Sequence, residues 1–168
     1  MLSIPVRLQP AEVSPGPVEY RWDPDTDILT AHLPTHVGAD GPSGSVDIEG
    51  SDGSWLIFDV AGGRIRGVEV AVWPPVRKRT QLTPPGEVED ASVTFGRAAD
   101  SNNVSALEVN TALAAEADHA ERTIHFKLGP SRTTRTVRIA RDLLLDIDGR
   151  NGLAGVWLLE VPPFPEDQ

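Results

Sequence analysis

The chain contains no cysteine, one methionine and one tyrosine among 168 residues. Without thiols, neither a disulfide framework nor a thiolate metal site can form, and a reducing compartment is favoured. No run of 18 apolar residues occurs, and the N-terminal residues lack the basic and apolar regions of a secretion signal. We therefore expect a cytoplasmic protein that does not enter a membrane.

Positive charge is also scarce, since 15 Lys and Arg stand against 25 Asp and Glu and give a formal net charge of −10. A field of this sign opposes binding to nucleic acid backbones, so we expect no nucleic acid partner. A basic or neutral partner fits better, although the charge also serves solubility alone. The basic cluster Arg77-Lys78-Arg79 is interpreted as solvated surface, with an acidic-partner site as the alternative.

Glycine and proline are frequent, with 15 of each. Both residues shorten regular elements, so many short strands fit this composition and long helices do not. The length fits one domain or two half-size units that share a core, and a chain of this size buries roughly 70% of its unfolded surface. No external cross-link is required for stability.

A hairpin pattern occurs twice, at residues 55–75 and 143–163. In each copy an apolar run ends at Asp59 or Asp146, a Gly-rich turn follows, a Gly-Val pair begins a second apolar run, and Pro-Pro ends the unit. Near-continuous runs of Val, Ile, Leu and Trp around such a turn predict two paired strands. Strands apolar on both sides must be covered on both faces, so these hairpins should be central in a sheet.

The other predicted elements follow the same order in both halves: a short strand, a hairpin, a loop, a short strand and the central hairpin. A gapless match places Leu29 on Ile124 and Leu33 on Leu128, which indicates an internal duplication. We predict an all-β fold of two pseudo-symmetric antiparallel units, residues 1–84 and 85–168, that form a sandwich or closed barrel with one shared core. Residues 106–117 fit a strand or a helix, and the match favours a strand. The predicted interior contains Phe58, Val60, Val68, Val70, Leu145, Ile147, Val156 and Leu158.

Several aspartates and histidines have spacings that resemble ligand sites without completing them. Asp23, Asp25 and Asp27 begin a calcium loop, but Ile28 and Pro34 occupy its sixth and twelfth positions, so Asx turns explain the run better. Asp146, Asp148 and Asn151 are interpreted as turn residues. The four histidines, His32, His36, His119 and His125, lack a shared helical face. We expect no metal and no cofactor.

One stretch of the first half resembles a widespread small bacterial β-domain family of unknown function. The matching residues are Tyr20, Asp23, Pro24, Asp27, Ile28, Leu29, Phe58, Asp59, Gly63, Ile65, Gly67, Val68 and Glu69. In the second half Trp157 stands where Glu69 stands in the first, and Arg122 where Asp27 stands. Members of the family look like small β-proteins, some encoded beside toxin-like partners. The resemblance implies a protein-binding role and supplies no catalytic residue.

No standard catalytic constellation occurs in the sequence, which has neither a nucleophile elbow nor a phosphate loop. The first hypothesis is therefore a non-catalytic interaction protein, such as an antitoxin- or immunity-like partner of another protein. The alternative is a β-barrel that binds a small apolar molecule, or a cofactor-independent cyclase or isomerase that acts by confining its substrate. Homo-oligomerisation stays open under both. The candidate ligand-binding residues are Trp55, Trp73, Asp59, Glu69 and Trp157, with residues 14–17 and 35–44 as candidate lids.

Overall fold

The computed structural model describes residues 4–11, 16–33, 44–95, 106–118, 120 and 122–163. These ranges contain strands and no helix, which confirms the all-β prediction, and none of their segments is a helix that could cross a membrane. Residues 106–117, left open between strand and helix, are strand where they are regular. The strands are β1 (Val6–Pro10), β2 (Glu19–Asp23), β3 (Ile28–His32), β4 (Gly44–Glu49), β5 (Trp55–Ala61), β6 (Arg64–Val72), β7 (Val76–Lys78), β8 (Val88–Phe95), β9 (Ala106–Asn110), β10 (Leu113–Asp118), β11 (Thr123–Leu128), β12 (Thr134–Ala140), β13 (Leu143–Asp148) and β14 (Leu153–Leu158).

All strands belong to one sheet that curls into a half-barrel. Its order is β7-β10-β11-β14-β13-β12-β8-β6-β5-β4-β9, while β1 pairs with β8, and β3 joins β2 to β6. Strand twist accumulates over this many strands and bends the sheet around its apolar face. The two central hairpins, β5-β6 and β13-β14, are flanked by other strands as predicted.

Two groups of five antiparallel strands within the sheet have the same pairing. The first group runs β2-β3-β6-β5-β4 and the second β10-β11-β14-β13-β12. Leu29 lies opposite Val70 as Ile124 lies opposite Leu158. Each central aspartate lies opposite a glycine, and a register shift follows it in both groups. The pairing thus corresponds at these positions and differs at others, because β5-β6 has a second register shift between Trp55 and Leu56 and β12-β13 has one between Arg138 and Ala140. The pseudo-symmetric duplication and a boundary between residues 84 and 85 stay predictions.

The concave face holds one hydrophobic cluster with residues from both groups. All eight predicted interior residues are buried, and Phe58 and Phe126 are fully enclosed. Burial of each large apolar side chain contributes about 1.5–3 kcal/mol, so this shared cluster is the main source of stability. In the second group this inner face alternates with an outer face, on which Leu144 and Trp157 form a separate cluster with Leu82.

Two connections place chain segments where the sequence did not predict them. Residues 76–78, of which Arg77 and Lys78 were interpreted only as solvated surface, form β7 alongside β10, and β8 then begins alongside β12. Because β10 and β12 lie at opposite edges of the second group, residues 79–87 must cross that group; we call them the crossover segment. The strand β9 pairs with β4 of the first group. The strand β7 has only three residues, too few to show an alternation of apolar and polar side chains, so its pairing could not be predicted from the sequence.

Candidate functional site

The outer face of the second group is covered by the crossover segment. Leu82 is buried against Leu144 and Trp157, and its backbone N–H donates to Asp118 Oδ2 at 3.1 Å. Arg79 Nε lies 3.3 Å from Glu116 Oε2, which also has Lys127 Nζ within 3.1 Å of its other oxygen. The packing of Leu82 and the ion pair of Arg79 with Glu116 therefore hold the crossover segment across the five strands.

A buried polar cluster lies on this same outer face. Asp146 Oδ2 accepts a hydrogen bond from His125 Nε2 at 2.7 Å, and Oδ1 accepts from Thr136 Oγ1 at 2.8 Å and Trp157 Nε1 at 3.1 Å. The His125 and Trp157 rings stack with centroids 3.8 Å apart and planes 10° apart. Asp146 was interpreted as a turn residue, but it lies within β13, where its strand position aims the carboxylate into the cluster.

Gly155 makes the bond between His125 and Asp146 possible. These residues lie on β11 and β13, with β14 between them, so their side chains meet above Gly155. A Cβ atom there would touch the Asp146 carboxylate and come within 3.2 Å of His125 Nε2 and 2.8 Å of the Phe126 carbonyl oxygen. The glycine is thus required by close approach, as is common for glycine within strands.

The cluster is built for stability more than for acid–base chemistry. Burial raises the pKa of Asp146, but the hydrogen bonds from His125, Thr136 and Trp157 outweigh burial and leave this pKa below its usual value. A catalytic triad needs its hydroxyl on the imidazole, whereas the Thr136 hydroxyl donates to the carboxylate. The side chains of His125 and Asp146 are only 12% and 9% exposed. His125, Thr136 and Trp157 therefore act as the hydrogen-bond donors that a buried Asp146 requires.

The outer face of the first group and of the adjoining β9, which we call the first outer face, has similar strand pairing but other side chains. Thr30 and Glu69 occupy the positions that correspond to His125 and Trp157, and Ser45 the position of Thr136. One row across β6, β5, β4 and β9 reads Glu69, Ile57, Asp47 and Glu108, each opposite the next. The neighbouring row contains Trp55 between Val72 and Glu49.

Acidic and apolar side chains alternate on the first outer face. Asp59 and Glu108 are exposed, Asp47 and Glu69 are partly exposed, and Val72 keeps 46% of its surface in contact with solvent. No described residue forms a salt bridge with these carboxylates, in contrast to Glu116 and Asp146. Asp47 Oδ1 and Trp55 Nε1 are both buried without a hydrogen-bond partner. The face therefore presents negative charge and apolar surface, while these two polar atoms are enclosed.

The five residues predicted to bind a ligand fall into three places. Trp55, Asp59 and Glu69 share the first outer face. Trp73 packs between Trp22 and Phe126 and donates from Nε1 to the Asp27 carbonyl at 2.8 Å. Trp157 lies beneath the crossover segment on the second group. The fold brings three of the five together and gives the other two separate packing roles.

The aspartates with calcium-like spacing use their oxygens within turns. Asp23 Oδ1 accepts from the Asp25 N–H, and Asp148 Oδ1 accepts from the N–H groups of Arg150 and Gly152. Asp148 Oδ2 also accepts from Arg132 Nε at 2.8 Å. The residues that the structure describes contain no cluster of three or more metal-ligating side chains. His36, His119, residues 14 and 15 of the first candidate lid and residues 35–43 of the second lie outside the described residues.

The sequence did not single out Asp47 or the partnership of His125 with Asp146. One indication of a close side-chain contact was present in the sequence. Each hairpin has a glycine opposite its central aspartate, inside a strand, where residues normally have side chains. A search of protein-family models finds no match to this chain, and a search of curated proteins finds no significant match. The resemblance to a small bacterial β-domain family stays a prediction.

Proposed function

We propose that the protein is a non-catalytic interaction module that binds a basic protein partner through the first outer face. The observation that supports this most directly is the contrast between two faces built on the same backbone. The crossover segment covers the second face, on which Glu116, Asp118 and Asp146 all have hydrogen-bond or salt-bridge partners. The carboxylates of the first face have no salt-bridge partner among the described residues. Negative charge of this kind guides and orients a basic partner.

Further support comes from the apolar side chains among these carboxylates, of which Val72 is exposed and Trp55 and Ile57 are partly exposed. Interfaces combine an apolar centre with a polar rim. Here Ile57 lies between Glu69 and Asp47, and Trp55 lies between Val72 and Glu49. The resemblance to domains encoded beside toxin-like partners agrees with this role, and an antitoxin- or immunity-like function is its simplest form. The cysteine-free sequence suits a reducing compartment, so we place the interaction in the cytoplasm. Small-molecule binding stays the alternative prediction.

The test is recovery of a partner that depends on the first outer face. The tagged protein is purified at low ionic strength from the cells that produce it, and bound proteins are quantified by mass spectrometry. We expect a stoichiometric partner with the wild type and loss of most of it with the double variant Glu69→Lys, Glu108→Lys, because like charges repel across an interface.

The matched control is Glu87→Lys, Glu89→Lys, which makes the same charge change at exposed positions outside the first outer face. This variant should retain the partner. Absence of any stoichiometric partner, or equal loss with both double variants, would contradict the proposal.

A further inference from the structure

We propose that the partner segment is extended, crosses the strands of the first outer face, and presents the pattern basic, any residue, apolar, any residue, basic. This inference rests on the proposed function and specifies its partner. It follows from the spacing of the row Glu69, Ile57, Asp47 and Glu108, and from the way in which the crossover segment occupies the corresponding face of the second group.

The crossover segment shows that this backbone accepts a chain lying across its strands. There, Leu82 rests on Leu144 while Arg79 reaches the carboxylate of Glu116. On the first outer face, Ile57 occupies the position of Leu144. An apolar side chain of the partner can therefore pack against Ile57, which has a carboxylate on each side.

The distance between neighbouring strands determines which residues of a bound, extended segment can contact this row. Glu69 and Glu108 are separated by three inter-strand intervals, or about 14 Å at 4.8 Å each. An extended chain advances about 3.3 Å per residue, so four residues span about 13 Å. Side chains at positions one, three and five of an extended segment point the same way. Basic residues at one and five then meet the acidic positions, and residue three meets Ile57.

Asp47 also fits this occupant. Its carboxylate has no salt-bridge partner among the described residues, and its side chain is partly exposed. Asp47 lies directly opposite Glu108, so a basic side chain at position five can reach both carboxylates. Asp47 Oδ1 and Nε1 of its diagonal neighbour Trp55 are enclosed, so the segment does not contact these two atoms directly.

Binding is tested with a fluorescent seven-residue peptide, Gly-Arg-Ser-Leu-Ser-Arg-Gly, by fluorescence anisotropy. A peptide of the same composition with its two arginines adjacent is the control for charge alone. We expect saturable binding of the first peptide, at least about fivefold weaker binding of the second, and a loss of about tenfold with Asp47→Asn, since a charge-assisted hydrogen bond disappears. Glu87→Gln, at an exposed position outside this face, should change binding less than twofold.

Three outcomes would overturn the inference. The first is absence of saturable binding or equal binding of both peptides. The second is that Asp47→Asn lowers the free energy of unfolding without changing affinity, which would mean that this carboxylate serves only the fold. The third is self-association that disperses when Arg77 and Lys78 are both changed to Glu, which would make a second copy the occupant. A cellular partner lost with Glu69→Lys, Glu108→Lys would still support the proposed function in each case.

Discussion

On the second group, Asp146 is enclosed by a histidine, a threonine and a tryptophan, and the crossover segment lies above them. On the first group, Asp59 has the same place in the strand, lies opposite the equivalent Gly67, and is exposed. The difference arises on the neighbouring strands. A buried carboxylate is stable only when donors surround it, and the first group offers Glu69 where the second has Trp157.

The comparison teaches that the inner and outer faces of one sheet can differ independently. Inner positions of both groups contribute to the shared core and are apolar, in keeping with their similar pairing register. Outer positions face away from that core. In the second group they contact the chain's own crossover segment, and in the first we propose that they contact another molecule. Variants placed at corresponding positions therefore test whether the two outer faces have different roles.

The largest difference is expected for glycine replacement beneath the aspartates. Gly155→Ala places a methyl group 2.8 Å from the Phe126 carbonyl and against the Asp146 carboxylate, so it should separate His125 from Asp146. Gly67→Ala meets the Ala31 carbonyl at 3.0 Å and disturbs no such bond. We expect losses of about 3 kcal/mol and about 1 kcal/mol, from urea unfolding. Equal losses would mean that the buried cluster contributes little.

Asp146→Asn should lower the free energy of unfolding by about 2 kcal/mol, because the charged acceptor of His125 is lost. Asp59→Asn, the matched exposed change, should stay within about 0.5 kcal/mol. The hydrogen bonds lower the pKa of folded Asp146 below its ordinary 3.8. Its contribution is therefore complete above that pH and is lost as the pH falls below it. Unfolding from pH 7 to pH 2 should show this loss in the wild type and a weaker one in Asp146→Asn.

Leu82→Ala should destabilise the protein by about 2 kcal/mol, since it removes the buried side chain that packs against Leu144 and Trp157. Val72→Ala, at the largely exposed apolar position of the first outer face, should have an effect within about 0.5 kcal/mol. Fluorescence quenching by acrylamide adds a second readout, because removal of Leu82 should expose Trp157 to the quencher. Unchanged quenching would show that the crossover segment holds its place without this anchor.

Tyr20→Phe tests how the first group is attached to the second. The Tyr20 hydroxyl donates to the Leu159 carbonyl at 2.8 Å and lies 3.2 Å from the Asp142 carbonyl, and burial raises the pKa of this phenol. Its removal should cost about 1 kcal/mol in urea unfolding and increase hydrogen exchange in β2. Unaltered exchange in β2 would show that packing alone secures the contact.

The smallest effects are expected at the corresponding turn residues Asp27 and Arg122, whose φ angles are 62° and 56°. Replacement by glycine relieves left-handed strain, and Arg122→Gly should gain about 0.5–1 kcal/mol. Asp27→Gly should gain less, because aspartate tolerates this conformation better. The exposed ion pair of Arg122 with Glu160 subtracts little. A loss of thermal stability in Arg122→Gly would show that this pair matters more than the strain.

Local patterns were sufficient to predict the two central hairpins and the core residues that they supply. Apolar runs ending at Asp59 and Asp146, with glycine turns after them, predicted both central hairpins, since strand formation and inward burial depend on neighbouring residues. The match of Leu29 with Ile124 anticipated the register, because pairing follows the apolar face. The same patterns gave no indication of β7, whose three polar residues owe their structure to the edge of β10.

The side-chain partnerships were decided by the tertiary structure. His125 and Asp146 are 21 residues apart and meet only because β14 inserts between their strands with a glycine at the crossing point. Trp73 and Trp157, grouped with Trp55 from composition alone, are separated because one lies at the junction of the groups and the other beneath Leu82. Sequence determines which residues turn inward, since that depends on alternation along a strand. Which outward residues meet depends on strand order and on the path of the crossover segment, and both are properties of the folded chain.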